Sequence, residues 1–390
     1  MLEDIKTQDK TYTMHTYKKF DAAFTKGKGA TLTGTDGRTF IDFAAGIGTS
    51  SLGYGDKELV KAVCEQAEKY AHCSNLYYNP VMSQLAEKLC KKTGMSRVFF
   101  CNSGAEANEG AIKTARKYAF DKYGKDSDRN IIITIKDSFH GRTVTTLSAT
   151  GQDVFHDKFF PFTEGFIYCE PDEKNLKKII DKHVCAVMIE CIQGEGGVNI
   201  LSEEFIRAVR RICDENDILM IVDEVQTGVG RTGKFLCIEN FGINPDIITL
   251  AKGLGGGLPI GAFLVSDKCK ETLLYSDHGS TFGGNPVVCA GATVVVDKVS
   301  DKKFLENIVQ KGEYLKAKLS QIPEITNIRG LGLMIGADLK TKTAAEVASE
   351  CVNKGLLILT AKKSLRFLPP LVISKEEIDK GIEILTEVLK

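Results

Sequence analysis

Between residues 97 and 266, short apolar runs alternate with longer segments of helical period. Residues 97–101, 130–135, 185–190, 218–223, 246–251 and 261–266 each read as a strand. Residues 105–123 read as a helix. So do residues 203–216, where Phe205, Ile206, Val209 and Ile212 fall on one face. Strands apolar throughout must be covered on both faces. That restricts residues 56–290 to an α/β domain with a mainly parallel sheet flanked by helices.

A chain of 390 residues exceeds what one hydrophobic core holds, which predicts a second domain. Residues 291–390 have a different pattern: helices over 302–320, 343–354 and 375–389, with short strands between them. They read as a smaller α+β domain. Residues 1–55 are expected to pack with it, and Asp36-Gly37 between two strand-like runs marks a hairpin turn.

The 51 basic residues balance the 51 acidic ones, which argues against a broad surface for nucleic acid or anionic lipid. No run is long enough to span a bilayer, and residues 1–20 carry no apolar stretch of the signal-peptide type. The twelve cysteines form no Cys-x-x-Cys pair, and several lie inside apolar runs. This favours a reduced, cytoplasmic protein and gives zinc no support.

Two strand ends carry charge. The run into Asp223 and the run into Lys252 place an acid and an amine where burial is costly unless each group is used. Pyridoxal phosphate uses both, the lysine as a Schiff-base partner and the aspartate at the pyridine nitrogen. Taken alone, Lys252 reads more readily as a solvated loop residue, and Asp223-Glu224 reads also as a metal-binding or nucleotide-type acid pair. The surrounding segments add weight. Asn102-Ser-Gly-Ala-Glu-Ala-Asn108 has capping-box spacing between Ser103 and Glu106 at a helix start suited to phosphate. Phe139-His140-Gly141-Arg142 offers an aromatic face and a guanidinium fork. Glu195 lies between glycines in Gln193-Gly-Glu-Gly-Gly197. Residues 278–286 form a glycine-rich loop with adjacent hydroxyls at Ser280 and Thr281. Arg366 is an isolated charge in an apolar strand, a setting that calls for an acid or a ligand.

These segments, with Asp223-Glu-Val-Gln-Thr-Gly-Val-Gly-Arg-Thr-Gly233 and Ala251-Lys-Gly-Leu-Gly-Gly-Gly257, resemble the class III aminotransferases of pyridoxal phosphate fold type I. The resemblance covers nearly the whole chain and implies pyridoxal 5'-phosphate as cofactor. It implies that Lys252 bonds to the cofactor and then moves the proton, and that Asp223 pairs with the ring nitrogen. Val225 and Phe139 pack on the two ring faces, with His140 beside them, and Gln226 lies near the phenolic oxygen. Ser103, Gly104 and Ala105 bind the phosphate, joined by Thr281 from a neighbouring subunit of a homodimer. Arg142 and Ser280 serve the substrate. Arg142 holds its distal carboxylate, and Arg366 binds the α-carboxylate of 2-oxoglutarate. Glu195 pairs with Arg366 in the other half-reaction.

The implied reaction moves the terminal amine of N2-acetylornithine to 2-oxoglutarate. Ornithine, succinyl-diaminopimelate and 4-aminobutyrate are alternative donors. A mutase without 2-oxoglutarate, or a non-catalytic protein of the same fold, are the remaining alternatives. Ile47 aligns where ornithine-specific members carry a tyrosine that meets a free ammonium, which favours the acetylated donor. Cys191 and Tyr54 depart from the family pattern, where proline and histidine are common.

Overall fold

The computed structural model describes residues 1–390. Its centre is a seven-stranded sheet. In chain order the strands are β1 (Arg97–Cys101), β2 (Ile131–Ile135), β3 (Phe166–Cys169), β4 (Val184–Ile189), β5 (Leu219–Asp223), β6 (Ile247–Leu250) and β7 (Gly261–Val265). Their order across the sheet is β1-β7-β6-β5-β4-β2-β3. Pairs β6/β5, β5/β4, β4/β2 and β2/β3 are parallel, and β7 runs antiparallel to both neighbours. Periodicity had marked β7 as a strand but could not assign its direction, since an apolar run reads alike both ways.

The apolar runs bury both faces, and alternate residues enter different cores. Leu219 and Ile221 of β5 pack with Ile112, Ala115 and Ala119 of helix α1 (Gly104–Tyr123). Met220 and Val222 pack on the other side with Phe205, Val209 and Ile212 of helix α2 (Glu203–Glu215). Each such Leu or Ile contributes about 1.5–3 kcal/mol of burial. Helix α1 lies close on the sheet at Gly110, where a Cβ would stand 2.2 Å from the Phe263 ring. Only glycine allows that approach.

The parallel direction has a functional consequence. Strands β1, β2, β4, β5 and β6 all end on one edge, and the antiparallel β7 begins there, with Gly261 opposite Cys101. In open α/β sheets ligands bind outside the carboxyl ends of the strands.

A second sheet comes from the C-terminal part: β8 (Ile325–Leu331), β9 (Met334–Leu339), β10 (Leu359–Ala361) and β11 (Ser364–Phe367), in the order β8-β9-β11-β10 and antiparallel throughout. The Asp36-Gly37 turn joins two antiparallel strands, Thr31–Gly34 and Thr39–Asp42. The second of these pairs in parallel with Leu356–Leu357, joining the N-terminal segment to the C-terminal part. The helix Pro286–Val299 is continuous through residue 290.

Candidate active site

A cavity of about 450 Å³ opens at the shared strand edge. It is lined by Ser103, Gly104 and Ala105 after β1, by Phe139, His140 and Arg142 after β2, by Asp223, Val225 and Gln226 after β5, and by Lys252 after β6. Ten of the residues singled out from the sequence thus meet in one place. Asn108, Glu190, Thr49 and the segment Leu258–Ile260 line it as well. Sequence reasoning assigned these no role. Asn108 lay inside a quoted motif and Glu190 closed an apolar run, the one signal that could have flagged either.

Asp223 accepts from four donors. Asn108 Nδ2 and His140 Nδ1 donate to Oδ2, each at 2.8 Å, and Val225 N and Thr249 Oγ1 donate to Oδ1 at 3.0 and 3.3 Å. The parallel register, with Asp223 beside Thr249, supplies the last contact. In the neutral imidazole, donation from Nδ1 leaves the His140 Nε2 an acceptor. That atom and Asn108 Oδ1 are buried without protein partners. Glu224 points elsewhere. It is fully buried and accepts from Ile238 N at 2.8 Å and from Thr227 Oγ1, with its carboxyl pushed up to about 7 by burial. A metal or nucleotide acid pair at Asp223-Glu224 is therefore ruled out by side-chain direction.

Lys252 sits half-buried at the cavity with φ of 41°, a left-handed conformation rare for a side chain of this size. Backbone strain of this kind concentrates at functional positions. Burial lowers the amine's pKa, and the nearby Glu195 charge opposes that shift. Glu190 accepts from Phe139 N at 2.8 Å, and its carboxyl is pushed well up, first by burial and then by Asp223.

At the start of α1, Ser103 Oγ accepts from Glu106 N at 3.2 Å as an N-cap. The reciprocal half of the expected capping box is shifted: Glu106 Oε2 accepts from Asn102 N at 3.0 Å, one residue ahead of the cap. A Cβ at Gly104 would lie 2.6 Å from Val225 Cγ1, so glycine brings this turn against the residue after β5. The first-turn amides of a helix have no preceding carbonyl to bind, which suits them to an anion.

Arg366 on β11 is buried, and its Nη1 donates to Glu195 Oε1 at 2.6 Å and to Gln226 Oε1 at 3.1 Å. Burial pushes the Glu195 carboxyl up, but the charge and hydrogen bond of Arg366, with Lys252 and Gln226, together outweigh it and hold Glu195 below the usual carboxylate range. The Glu195 loop is held between two structures. Arg329 Nε donates to Gly197 O at 3.0 Å from the small sheet, and Gln193 Nε2 donates to Lys136 O at 2.7 Å beside β2. Gln226 connects this ion pair to the cavity wall.

Five expected residues do not line the cavity: Glu195 and Arg366, which join its wall through Gln226, and Ser280, Thr281 and Ile47. Ser280 and Thr281 line a separate groove with Asn75, Leu76, Leu274 and Tyr275. Ser280 touches the cavity only through Asn102, whose Nδ2 donates to its Oγ at 3.3 Å. Ile47 does not line the cavity either. It is 42% exposed at φ 66°, within consecutive left-handed residues from Ala45 to Gly48. The neighbouring Thr49 takes a place in the wall.

The cavity thus joins an amine, a buried acid beside a histidine, an aromatic face and an anion-binding helix start. These are the groups pyridoxal phosphate requires, so the residues present suit it. The chain matches the pattern of the "Aminotransferase class-III" family over residues 12–389. It belongs to the class-III aminotransferases. A curated acetylornithine aminotransferase of Haemophilus ducreyi is 48% identical over 99% of this chain and 98% of its own length. The solved N-acetylornithine aminotransferase of Stenotrophomonas maltophilia is 37% identical, with a TM-score of 0.85 over 98% of this chain and 97% of the other. The solved ornithine aminotransferase of Toxoplasma gondii is 31% identical, with a TM-score of 0.95 over 100% of this chain and 95% of the other. Aminotransferases with different named donors thus share this backbone.

Proposed function

We propose that this aminotransferase moves the terminal amine of N2-acetylornithine to 2-oxoglutarate, giving N-acetylglutamate 5-semialdehyde and glutamate, a step of arginine biosynthesis. The observation that carries the reading is the Arg366–Glu195 pair held by Gln226. The donor presents an amine on a methylene chain, whereas 2-oxoglutarate presents a carboxylate at the reacting carbon. One site serves both when a buried cation can exchange an internal acid for a substrate carboxylate. The choice of acetylornithine rests on the relatives that carry that name at 42–48% identity.

Bound pyridoxal 5'-phosphate supplies the carbonyl that takes up the amine and the ring that spreads the electron pair left at the substrate carbon. The protein's residues direct that chemistry. Lys252 anchors the cofactor and carries the proton at the substrate carbon. Its lowered pKa favours the neutral amine needed for this step. Asp223, oriented by His140 and Asn108, holds the proton at the ring nitrogen. Val225 and Phe139 close the ring faces, and Ser103, Gly104 and Ala105 bind the phosphate. Arg142 takes the distal carboxylate, which both substrates possess.

The reading includes a homodimer in which Thr281 and Ser280 reach the partner's cavity. Their groove is bordered by exposed Leu76, Tyr77, Tyr78, Leu274, Tyr275 and Phe282, an apolar surface of the kind that marks an interface. We also read the chain as a large domain with a smaller one drawn from both termini, the break falling past Val299, where the continuous helix ends. A cytoplasmic location fits the twelve free cysteines. No helix is long and apolar enough to cross a membrane.

Rapid mixing of the holoenzyme with one amine at a time, without 2-oxoglutarate, tests the substrate. Loss of the cofactor's visible band is expected to be fastest with acetylornithine, at least about tenfold faster than with ornithine or 4-aminobutyrate. Equal rates with ornithine would remove the acetyl preference and leave the class intact.

Glu195→Ala tests the pairing. It leaves Arg366 unpaired beside the methylenes of the donor, and the donor half-reaction is expected to slow about 10²-fold. The half-reaction with 2-oxoglutarate, whose carboxylate replaces Glu195, is expected to change only a few-fold. Equal losses in both half-reactions would end the exchange idea.

A further inference from the structure

Arg142 reaches the cavity without a hydrogen-bonding or ion-pairing partner in the protein. Its guanidinium lies instead over Phe155, 4.2 Å from the ring centroid, with Phe139 at 5.6 Å. The two rings meet edge to face, with centroids 5.7 Å apart at 72°. Phe155 comes from a short turn, Asp153–Phe155, outside the segments that carry the other cavity residues. That turn is fastened to the loop after β2. Gln152 is buried and its Nε2 donates to Ser138 O at 3.0 Å, Gly151 N donates to Ser138 Oγ at 3.1 Å, and Asp137 N donates to Gly151 O at 2.8 Å. Phe155 N in turn donates to Gln152 O at 3.1 Å. The ring under Arg142 is therefore held to the same loop that carries Phe139 and Arg142.

A guanidinium with no hydrogen-bonded partner would rotate through many rotamers and lose entropy on binding a carboxylate. An aromatic face opposes that. It attracts the cation without using any N–H, so the fork stays open to a planar acceptor. We infer that Phe155 is a positioning residue that stacks under Arg142 and fixes the plane in which it receives the distal carboxylate of both substrates. This rests on the reading of Arg142 given above. Phe155 does not line the cavity itself, so its effect belongs in substrate affinity and not in the chemical step.

The test compares Phe155→Leu, which keeps apolar bulk and removes the ring face, with Phe155→Trp and Phe155→Tyr, which retain a face. Holoenzyme is used, with KM and kcat for acetylornithine and 2-oxoglutarate, and the dissociation constant of glutarate as an unreactive dicarboxylate probe. Phe155→Leu is expected to raise both KM values and the glutarate constant about tenfold, with kcat within about twofold. The aromatic variants are expected to bind near the wild-type level. Unchanged KM values in Phe155→Leu would overturn the inference. So would aromatic variants as weak as Phe155→Leu, since the ring's shape and not its face would then matter. Arg142→Lys separates this inference from the reading beneath it. If Arg142→Lys leaves KM unchanged, the assignment of Arg142 fails. If it raises KM while Phe155→Leu does not, only the role of Phe155 fails.

Discussion

Lys252→Ala is expected to lower glutamate formation by about 10⁴-fold or more, the combined loss of a nucleophile and a positioned base. The cavity explains why nothing substitutes for it. No other lysine lines the wall, and the arginine that does, Arg142, cannot lose a proton at working pH. Burial lowers the Lys252 pKa, which favours the neutral amine relative to a surface lysine. The residue is also held at φ 41° on the short turn Lys252–Gly255, which aims it into the cavity from the end of β6. Alanine keeps that backbone possible while removing the amine. Steady-state turnover should be measured beside the thermal midpoint, to separate lost chemistry from lost folding. Retention of more than about a tenth of wild-type turnover, in protein of unchanged midpoint, would remove Lys252 from the mechanism and the Schiff-base assignment with it.

Asp223→Asn is expected to lower kcat by about 10³-fold, within the range for loss of a positioned proton-holding group. The substitution is nearly isosteric, so packing alone predicts little change. The hydrogen bonds predict otherwise. All four partners of Asp223 in the protein are donors, and an asparagine side chain must turn its own NH₂ toward either the Asn108–His140 pair or the Val225–Thr249 pair. Either choice leaves buried donors facing each other and costs about 1–3 kcal/mol of stability. The amide also cannot hold a proton at a ring nitrogen. Cofactor affinity and the denaturation midpoint, measured with kcat, distinguish these effects. A variant with kcat within a few-fold of wild type would show that the acid is structural.

Much of this site could be read before any fold was known, because its groups sit at the ends of local patterns. Lys252 and Asp223 each close an apolar run, and Ser103 opens a helix. Short-range sterics and capping place such residues at strand and helix ends in almost any tertiary setting. Arg366 was flagged for a similar reason, as a charge within an apolar strand that needed a partner.

Other features depended on the assembled chain. Asn108 carried no local oddity and Glu190 only the end of an apolar run, and only the order β6-β5-β4-β2 brings Glu190 and Asp223 to one edge with Asn108 of α1 beside them. The consecutive left-handed residues from Ala45 to Gly48, which precede Thr49 of the wall, have no local signature beyond their glycines. Phe155 drew no notice because nothing in Asp153–Phe155 distinguishes it until Gln152 fastens that turn under Arg142.

Sequence alone determined the class of the fold, the chemistry-bearing residues at strand ends and the family resemblance, because periodicity and end-capping act over a few residues. Tertiary structure alone decided that β7 runs antiparallel, that residues 41–42 pair with 356–357, and that Gln226 joins the Arg366–Glu195 pair to the cavity wall. Those outcomes are contacts between residues far apart along the chain. They are set by which faces bury one another, and no local pattern encodes that.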